Sequence, residues 1–284
     1  MVLKRIIIFL IIILGVNQSL SQNLEDRLVD IIQSSVNQGD YIKNYVQPLA
    51  LSLGIVTGSG LYHHGAVLEF PHFRLGVGYT VVHLPEKARF FFDPATGQKT
   101  PTIFGDKSGT IPGFDKCHLP IWIIQGNIGL LNNLELNLRY SYLDDSMMGK
   151  VSILGGGMKY GLSELFIPKS LPLNLSVQAA YHYLLAKEYL ASGSFNMNLN
   201  SVYKIRIIPL SLTAAIALNN STLIVRTDEL KNINDHGIGE ISVTGENGVR
   251  YHFGMNIDIW KVTLSSDFSF GTYQALFIGL TAGF

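Results

Sequence analysis

From Phe73 to the C-terminus the chain alternates between apolar and polar positions. Phe73, Leu75, Val77, Tyr79 and Val81 share one parity, with Arg74, Gly76, Gly78 and Thr80 on the other. Leu134, Leu136, Leu138, Tyr140 and Tyr142 oppose Glu135, Asn137, Arg139 and Ser141. Leu173 to Tyr183 alternates with Asn174, Ser176, Gln178 and His182, and Phe195, Met197, Leu199 and Tyr203 alternate with Asn196, Asn198, Asn200 and Lys204. Val249 to Ile257 opposes Arg250, His252, Asn256 and Asp258, and Leu264, Phe268 and Phe270 oppose Ser265, Asp267 and Ser269. Successive strand residues point to opposite sides of a sheet, so each run has one apolar and one polar wall. A soluble sandwich shares that pattern. Length separates the two: the runs are about 10–13 residues, the span a tilted strand needs to cross a bilayer, against about 5–6 in globular strands.

About ten long strands follow, within a range of roughly 8–14. They lie near 72–84, 119–130, 133–143, 150–161, 172–185, 193–206, 209–219, 248–259, 261–271 and 274–284. Short joins alternate with longer ones near 85–118, 144–149, 186–192 and 220–247, the asymmetry of an outer-membrane barrel whose short turns face the periplasm. Tyrosines near strand ends suit an interfacial girdle. The fold class is therefore all-β, a transmembrane antiparallel barrel with an N-terminal helix. That helix is read over 23–45 from Leu24, Leu28, Ile31, Ile32 and Val36, with Gly39 interrupting it and Pro48 stopping it. Period two is expected from about Leu49.

Composition supports this reading. Among 284 residues 47% are apolar and 15% charged, and the mean hydropathy is +0.26, yet beyond the first twenty-one residues no apolar run reaches the length of a spanning helix. The 21 basic and 21 acidic side chains cancel, and no basic cluster occurs, which argues against a nucleic-acid partner. Cys117 is the single cysteine, so no disulfide framework exists. Lys4 and Arg5, the apolar stretch Ile6 to Val16, and Ser19-Leu20-Ser21 form a secretory signal peptide over 1–21, with cleavage expected after Ser21. Residues 22–70 are read as an N-terminal helix segment that is either a hatch or a periplasmic cap on the barrel, and 71–284 as the barrel.

Candidate chemistry is sparse. His63, His64, Glu69 and His72 lie close in sequence, but adjacent histidines point apart in an extended chain, and no metal or cofactor is expected. His182, His252, Ser265 and Asp267 share polar faces, yet the chain has no G-x-S-x-G elbow, and the reading is not an enzyme. The lumen wall is expected to carry Arg74, Glu135, Asn137, Arg139, Gln178, His182, Asn196, Asn198, Asn200, Arg250, His252, Asp258 and Asp267. Tyr62 of the hatch segment, and Phe90, Phe91, Phe92 and Phe104 of the apolar 85–118 loop, are candidate contacts for a hydrophobic ligand.

The closing QALFIGLTAGF, ending on Phe284, resembles the terminal strand read by bacterial barrel-assembly machinery. Three stretches resemble an uncharacterised family of bacterial outer-membrane proteins, distantly similar to the long-chain fatty-acid transporter barrels. They are Tyr41-Ile42-Lys43-Asn44-Tyr45-Val46-Gln47-Pro48-Leu49 with Gly54, Gly58 and Gly60-Leu61-Tyr62; Gly149 to Tyr160; and Leu171 to Val177. The resemblance implies residence in the outer membrane, lipid and the assembly machinery as partners, and an N-terminal segment plugging the lumen. The expected function is passive uptake of a small hydrophobic molecule. The competing reading is a non-transporting barrel that binds another protein through its loops.

Overall fold

The computed structural model describes residues 24–34, 37–61, 66–93, 96–145, 149–168, 170–185, 188–230 and 238–284. The expected signal segment, Tyr62, His63 and His64 lie outside the described residues. The barrel strands are β1 (Phe73–His83), β4 (His118–Gly129), β5 (Leu134–Asp145), β6 (Gly149–Gly161), β7 (Leu173–Leu185), β8 (Leu190–Ile205), β9 (Leu210–Arg226), β10 (Glu240–Ile259), β11 (Val262–Phe270) and β12 (Gln274–Gly283). Each pairs with its neighbours antiparallel, and β1 pairs with β12 to close a ten-stranded barrel. A small hairpin, β2 (Phe90–Phe92) and β3 (Lys99–Pro101), sits in the long loop between β1 and β4. Phe284 extends the closing ladder: it exchanges backbone hydrogen bonds with Phe73, and the two rings stack at 5.1 Å.

The outward face is apolar, with Leu75, Leu138, Leu154, Ile216 and Phe253 exposed on successive walls. Tyr79 and Trp122 lie ring to ring at 4.5 Å toward the end bearing the long loops, in the position of an interfacial girdle. No helix among the described residues is long and apolar enough to cross a membrane.

Two helices occupy the inside. α1 (Leu24–Ser34) buries Leu24, Leu28, Ile31 and Ile32 on one face, with Glu25 and Asp26 favourably placed in its first turn. α2 (Gln38–Gly58) is longer than the sequence suggested, and Pro48 lies inside it. The expected stop fails because the lumen wall and loop bury much of this helix from Tyr45 onward; Pro48 costs one hydrogen bond, and its own carbonyl accepts from Ser52 Oγ at 2.7 Å. The helix ends instead at Gly58. Ser59 is extended, and Gly60 adopts φ +70° with its Cα against the Phe277 ring, a conformation and a contact that exclude a side chain.

α1 lies at the mouth opposite the termini of the barrel, beside the 85–118 loop, where Arg27 rests 4.0 Å from the Phe114 ring centroid. α2 descends from that mouth, and the chain then reaches the terminal mouth, where the Leu68 N–H donates to Glu135 Oε2 at 2.9 Å. The described residues between Leu24 and His72 thus run from the loop end through the lumen to the strand that starts at Phe73.

The expected loop at 220–247 is largely strand. β9 continues to Arg226 and β10 starts at Glu240, whereas β11 joins β10 only from Tyr251. This raised wall inverts its polarity: Leu223, Val225, Ile241 and Val243 point inward onto the helices and are buried. The same inversion holds around the barrel, where Val82, Leu119, Ile121, Val151 and Leu184 complete an apolar ring about α1 and α2.

The threading has a direct check. With Cys117→Ser as background, a cysteine at exposed Asp26 labels with an impermeant maleimide from the loop side of proteoliposomes. A cysteine at Ile207, 93% exposed in a turn at the terminal end, labels from the other side. Labelling of both from one side would refute the arrangement.

Candidate functional site

The foot of α2 is clamped by the barrel wall. Arg139, buried on β5, donates from Nη1 to the Thr57 carbonyl at 2.6 Å and from Nη2 to the Ser59 carbonyl at 2.7 Å. The last carbonyls of a helix lack intrahelical partners and carry its negative end, so a guanidinium there satisfies both the hydrogen bonds and the charge. The Thr57 and Ser194 hydroxyls share a hydrogen bond at 2.6 Å, and Asn196 Nδ2 reaches His182 Nδ1 at 3.2 Å beside them. A Cβ at Gly58 would lie 2.6 Å from both Asn196 Oδ1 and Asn219 Nδ2, so glycine lets the helix touch the wall. Two voids flank Arg139, each about 10 Å³, which is about the space of one water.

Higher up, Ser221 Oγ donates to the Ala50 carbonyl at 2.6 Å, Asn247 Nδ2 to the Leu51 carbonyl at 2.9 Å, and Gln47 Nε2 to the Thr244 carbonyl at 2.8 Å. Asn247 reaches the helix because the register between β9 and β10 shifts at Glu246/Val249, a bulge that re-aims it inward. Sequence reasoning missed Ser221 and Asn247 because both fell in the supposed 220–247 loop. The alternation of Ser221, Leu223 and Val225 was the available signal.

Below α2 the wall is polar. Glu135 accepts from Asn127 Nδ2 at 2.6 Å and from Lys159 Nζ at 3.2 Å as well as from the Leu68 N–H, and so anchors the returning chain. Asn200 Nδ2 donates to Asn198 Oδ1 at 2.6 Å. Asn137 and Gln178 are buried with no side-chain hydrogen bond to the described residues, leaving amides for water or a polar solute to satisfy. Arg74 faces the lumen near the terminal mouth and is only partly covered. On the far wall Arg250 donates to the Tyr273 carbonyl at 2.9 Å and to Ser269 Oγ at 2.6 Å, and His252 Nδ1 meets Asp267 Oδ2 at 2.9 Å. The register sets Ser265 opposite Asn256, and His252 opposite Ser269. Asp258 departs from the expected lumen lining: β10 ends at Ile259, so Asp258 is exposed at the terminal rim, where it accepts from Thr263 at 2.6 Å. Among the described residues no group of three or more His, Cys, Asp or Glu could hold a metal ion.

At the loop end, the 85–118 segment folds back over the helices. The Ile103 N–H donates to the Tyr45 carbonyl at 2.9 Å and Tyr45 Oη donates to the Pro112 carbonyl at 3.1 Å. Phe104 is fully buried by this fold-back and is therefore withdrawn from the candidate ligand contacts. Phe92 is exposed. Phe90 and Phe91 line a cavity of about 260 Å³ against α2, shared with Pro48, Leu51, Thr102 and Tyr273. Phe91 meets Tyr41 edge to face at 5.2 Å. Burial, with the Asp93 carboxylate second, pushes the Tyr41 hydroxyl up from 10.0 to about 12.

The fold and its filled lumen define a class, the plugged transmembrane β-barrel. The particular family follows from the sequence: residues 3–284 match the model of the family of unknown function DUF6588, and the chain belongs to it. No curated protein matches. Several solved structures have a similar chain course. The Yersinia pestis attachment invasion locus protein Ail, solved with a heparin analogue, is 10% identical over 76% of this chain and 100% of its own, at a TM-score of 0.32. The translocator domain of the Neisseria meningitidis autotransporter NalP is 7% identical over 88% and 99%, at 0.32. The Pseudomonas putida toluene transporter TodX is 8% identical over 75% and 88%, at 0.28. Likenesses this low carry no argument about activity, and they do not single out the long-chain fatty-acid transporter barrels that the sequence resembled.

Two measurements check the clamp and the mouth. Arg139→Ala removes two charge-assisted hydrogen bonds from a buried site and is expected to cost about 3 kcal/mol, read as a lower midpoint of denaturation. Gly58→Val is expected to cost about 1–3 kcal/mol by overpacking. The raised Tyr41 value means that mouth packing keeps its full contribution below pH 10 and loses it as pH climbs through about 12. Tyrosinate absorbance should show a late-titrating component, to which the buried Tyr45, Tyr189 and Tyr273 also contribute, and Tyr41→Phe should reduce it by one tyrosine.

Proposed function

We propose that this protein is an outer-membrane barrel that admits a small hydrophobic molecule, with α2 as its gate. The observation that carries the reading is the cavity of about 260 Å³ at the loop-end mouth, walled by Phe90, Phe91, Leu51 and Tyr273 and floored by the plug helix itself. A ligand seated there touches the element that must move for passage. A volume of this size suits a small ligand, and its apolar walls are interspersed with Asn44, Gln47, Lys87, Thr102 and Thr272, which would fix the ligand's orientation. The bilayer-length strands with an apolar exterior support membrane residence, and the long loops at the far end from the termini support an outward-facing mouth. Export by a cleaved signal peptide over 1–21 belongs to the same reading. So does recognition of the Phe284 strand by the barrel-assembly machinery.

The polar clamp at Thr57 and Ser59 suits a gate better than a permanent core. Its hydrogen bonds exchange for water as the helix withdraws, whereas an apolar foot would expose surface at every opening. Passage would then run beside the amide-lined lower lumen.

In planar bilayers the full chain is expected to be electrically silent, and Arg139→Ala or Gly58→Val to pass current. A fluorescent apolar probe such as 1-N-phenylnaphthylamine is expected to bind the full chain, and Phe91→Ala to weaken it by about tenfold, the scale of one lost aromatic contact. Steady current from the unaltered chain would make it an open pore. Silence from every variant, with no probe binding, would favour a barrel that recognises another protein through its loops.

A further inference from the structure

A cavity of about 680 Å³ lies outside the lumen, on the outward wall of β1 and β4–β8. Its floor is made by Gly126, Gly156 and Ala179. The register explains the hollow. Across the sheet one outward row reads Leu75, Gly126, Leu138, Gly156, Tyr181 and Phe195, so glycines alternate with large side chains at one level. In the adjoining row Ala179 stands beside Met158.

Nothing within the chain asks for these two glycines. A Cβ at Gly126 would meet Leu75 Cδ2 at 3.5 Å, and one at Gly156 would meet Leu138 Cδ2 at 3.6 Å, both ordinary contacts. The lumen-facing glycines behave differently. A Cβ at Gly157 would come 2.6 Å from the Ala179 carbonyl, and one at Gly254 would strike backbone and the Thr213 hydroxyl. Neither outward glycine has a positive φ. Glycine inside a strand costs roughly 0.5–1 kcal/mol relative to alanine and marks a place where another group approaches closely. Tyr181, which could cover Gly156 from the next strand, leans instead over Gly193, against which its hydroxyl rests. The hollow is therefore kept open by composition and by rotamer.

We infer that this groove binds an acyl chain of a membrane phospholipid. The occupant follows from position. The groove lies on the apolar outer wall between the Tyr79–Trp122 girdle and the Phe73–Phe284 pair at the terminal end. At that depth the solvent is hydrocarbon. The lining is almost wholly apolar. A flexible chain fills a trough between Leu138 and Tyr181 that flat annular packing would leave void, and a void forfeits dispersion contacts. This site is separate from the mouth cavity and does not depend on the uptake reading.

The test uses the full chain in proteoliposomes containing phosphatidylethanolamine with a diazirine on its acyl chain. After photolysis, Leu138 and Met158 are expected to carry at least threefold more label than Phe253 and Met255, which are exposed on β10 across the barrel from the groove. After purification in mild detergent, native mass spectrometry is expected to show a retained phospholipid. Gly126→Leu with Gly156→Leu should reduce that retention by at least tenfold while strand circular dichroism is unchanged. Even labelling of both walls would overturn the proposal, and so would undiminished retention in a folded double variant. A dimer that the double variant dissociates would reassign the groove to a second copy of the chain. If the leucine pair fails to fold, Gly126→Ala with Gly156→Ala fits the measured spaces, and the wild-type labelling ratio decides by itself.

Discussion

The structure depends on closure of the sheet. β1 pairs with β12 over ten residues, from Arg74 with Gly283 to His83 with Gln274, so the strands have no free lateral edge between the first and the last. In hydrocarbon an unpaired backbone group costs several kcal/mol, and a barrel spans a membrane only when its sheet returns on itself. Closure also sets the size of the interior. Ten strands enclose a space too wide for wall side chains alone to fill and too narrow for a second domain, and a single helix fits it. The apolar ring, the polar clamp and the return of the chain past Glu135 all follow from placing a helix in that space.

The lumen is divided by depth. At the loop end, the inner wall is apolar and forms with α1, α2 and the folded-back loop the hydrophobic core that a membrane barrel otherwise lacks. Toward the termini the inner wall is amide-rich, and its buried ion pair of Glu135 with Lys159 is tied to the backbone of the incoming chain. Arg139 and Gly58 mark the boundary. The element that divides the two halves is held at its foot mainly by polar contacts, and at its head by apolar packing together with hydrogen bonds at Tyr45, Gln47, Ala50 and Leu51. Its foot is thus the part that water can most readily replace.

The outside of the barrel carries its own information. Two glycines with room for a side chain stand in one row of the lipid-facing wall, whereas the lumen-facing glycines are needed by packing against helix or neighbouring strand. A wall selected only for apolarity has no reason to keep such a hollow. It bears on the molecule's relation to the bilayer, as the mouth cavity bears on its relation to solutes.

The sequence by itself pointed to a barrel of about ten strands, within a range of 8–14, and to two distinct faces on most of them, because a period of two is a local property and a slip of one residue would turn every apolar side chain inward. It also placed Glu135, Asn137, Arg139 and the β8 asparagines on the inner wall. Tertiary structure alone decided three things. Pro48 sits inside a helix because the wall around α2 outweighs one missing hydrogen bond. The 220–247 segment is largely strand, and its inner face is apolar because it leaves the bilayer and packs on that helix. Arg139 caps Thr57 and Ser59, residues about eighty positions away, across a distance that no local pattern encodes. The period of a strand names its two faces. Which face meets lipid, helix or water depends on what the rest of the chain places beside it.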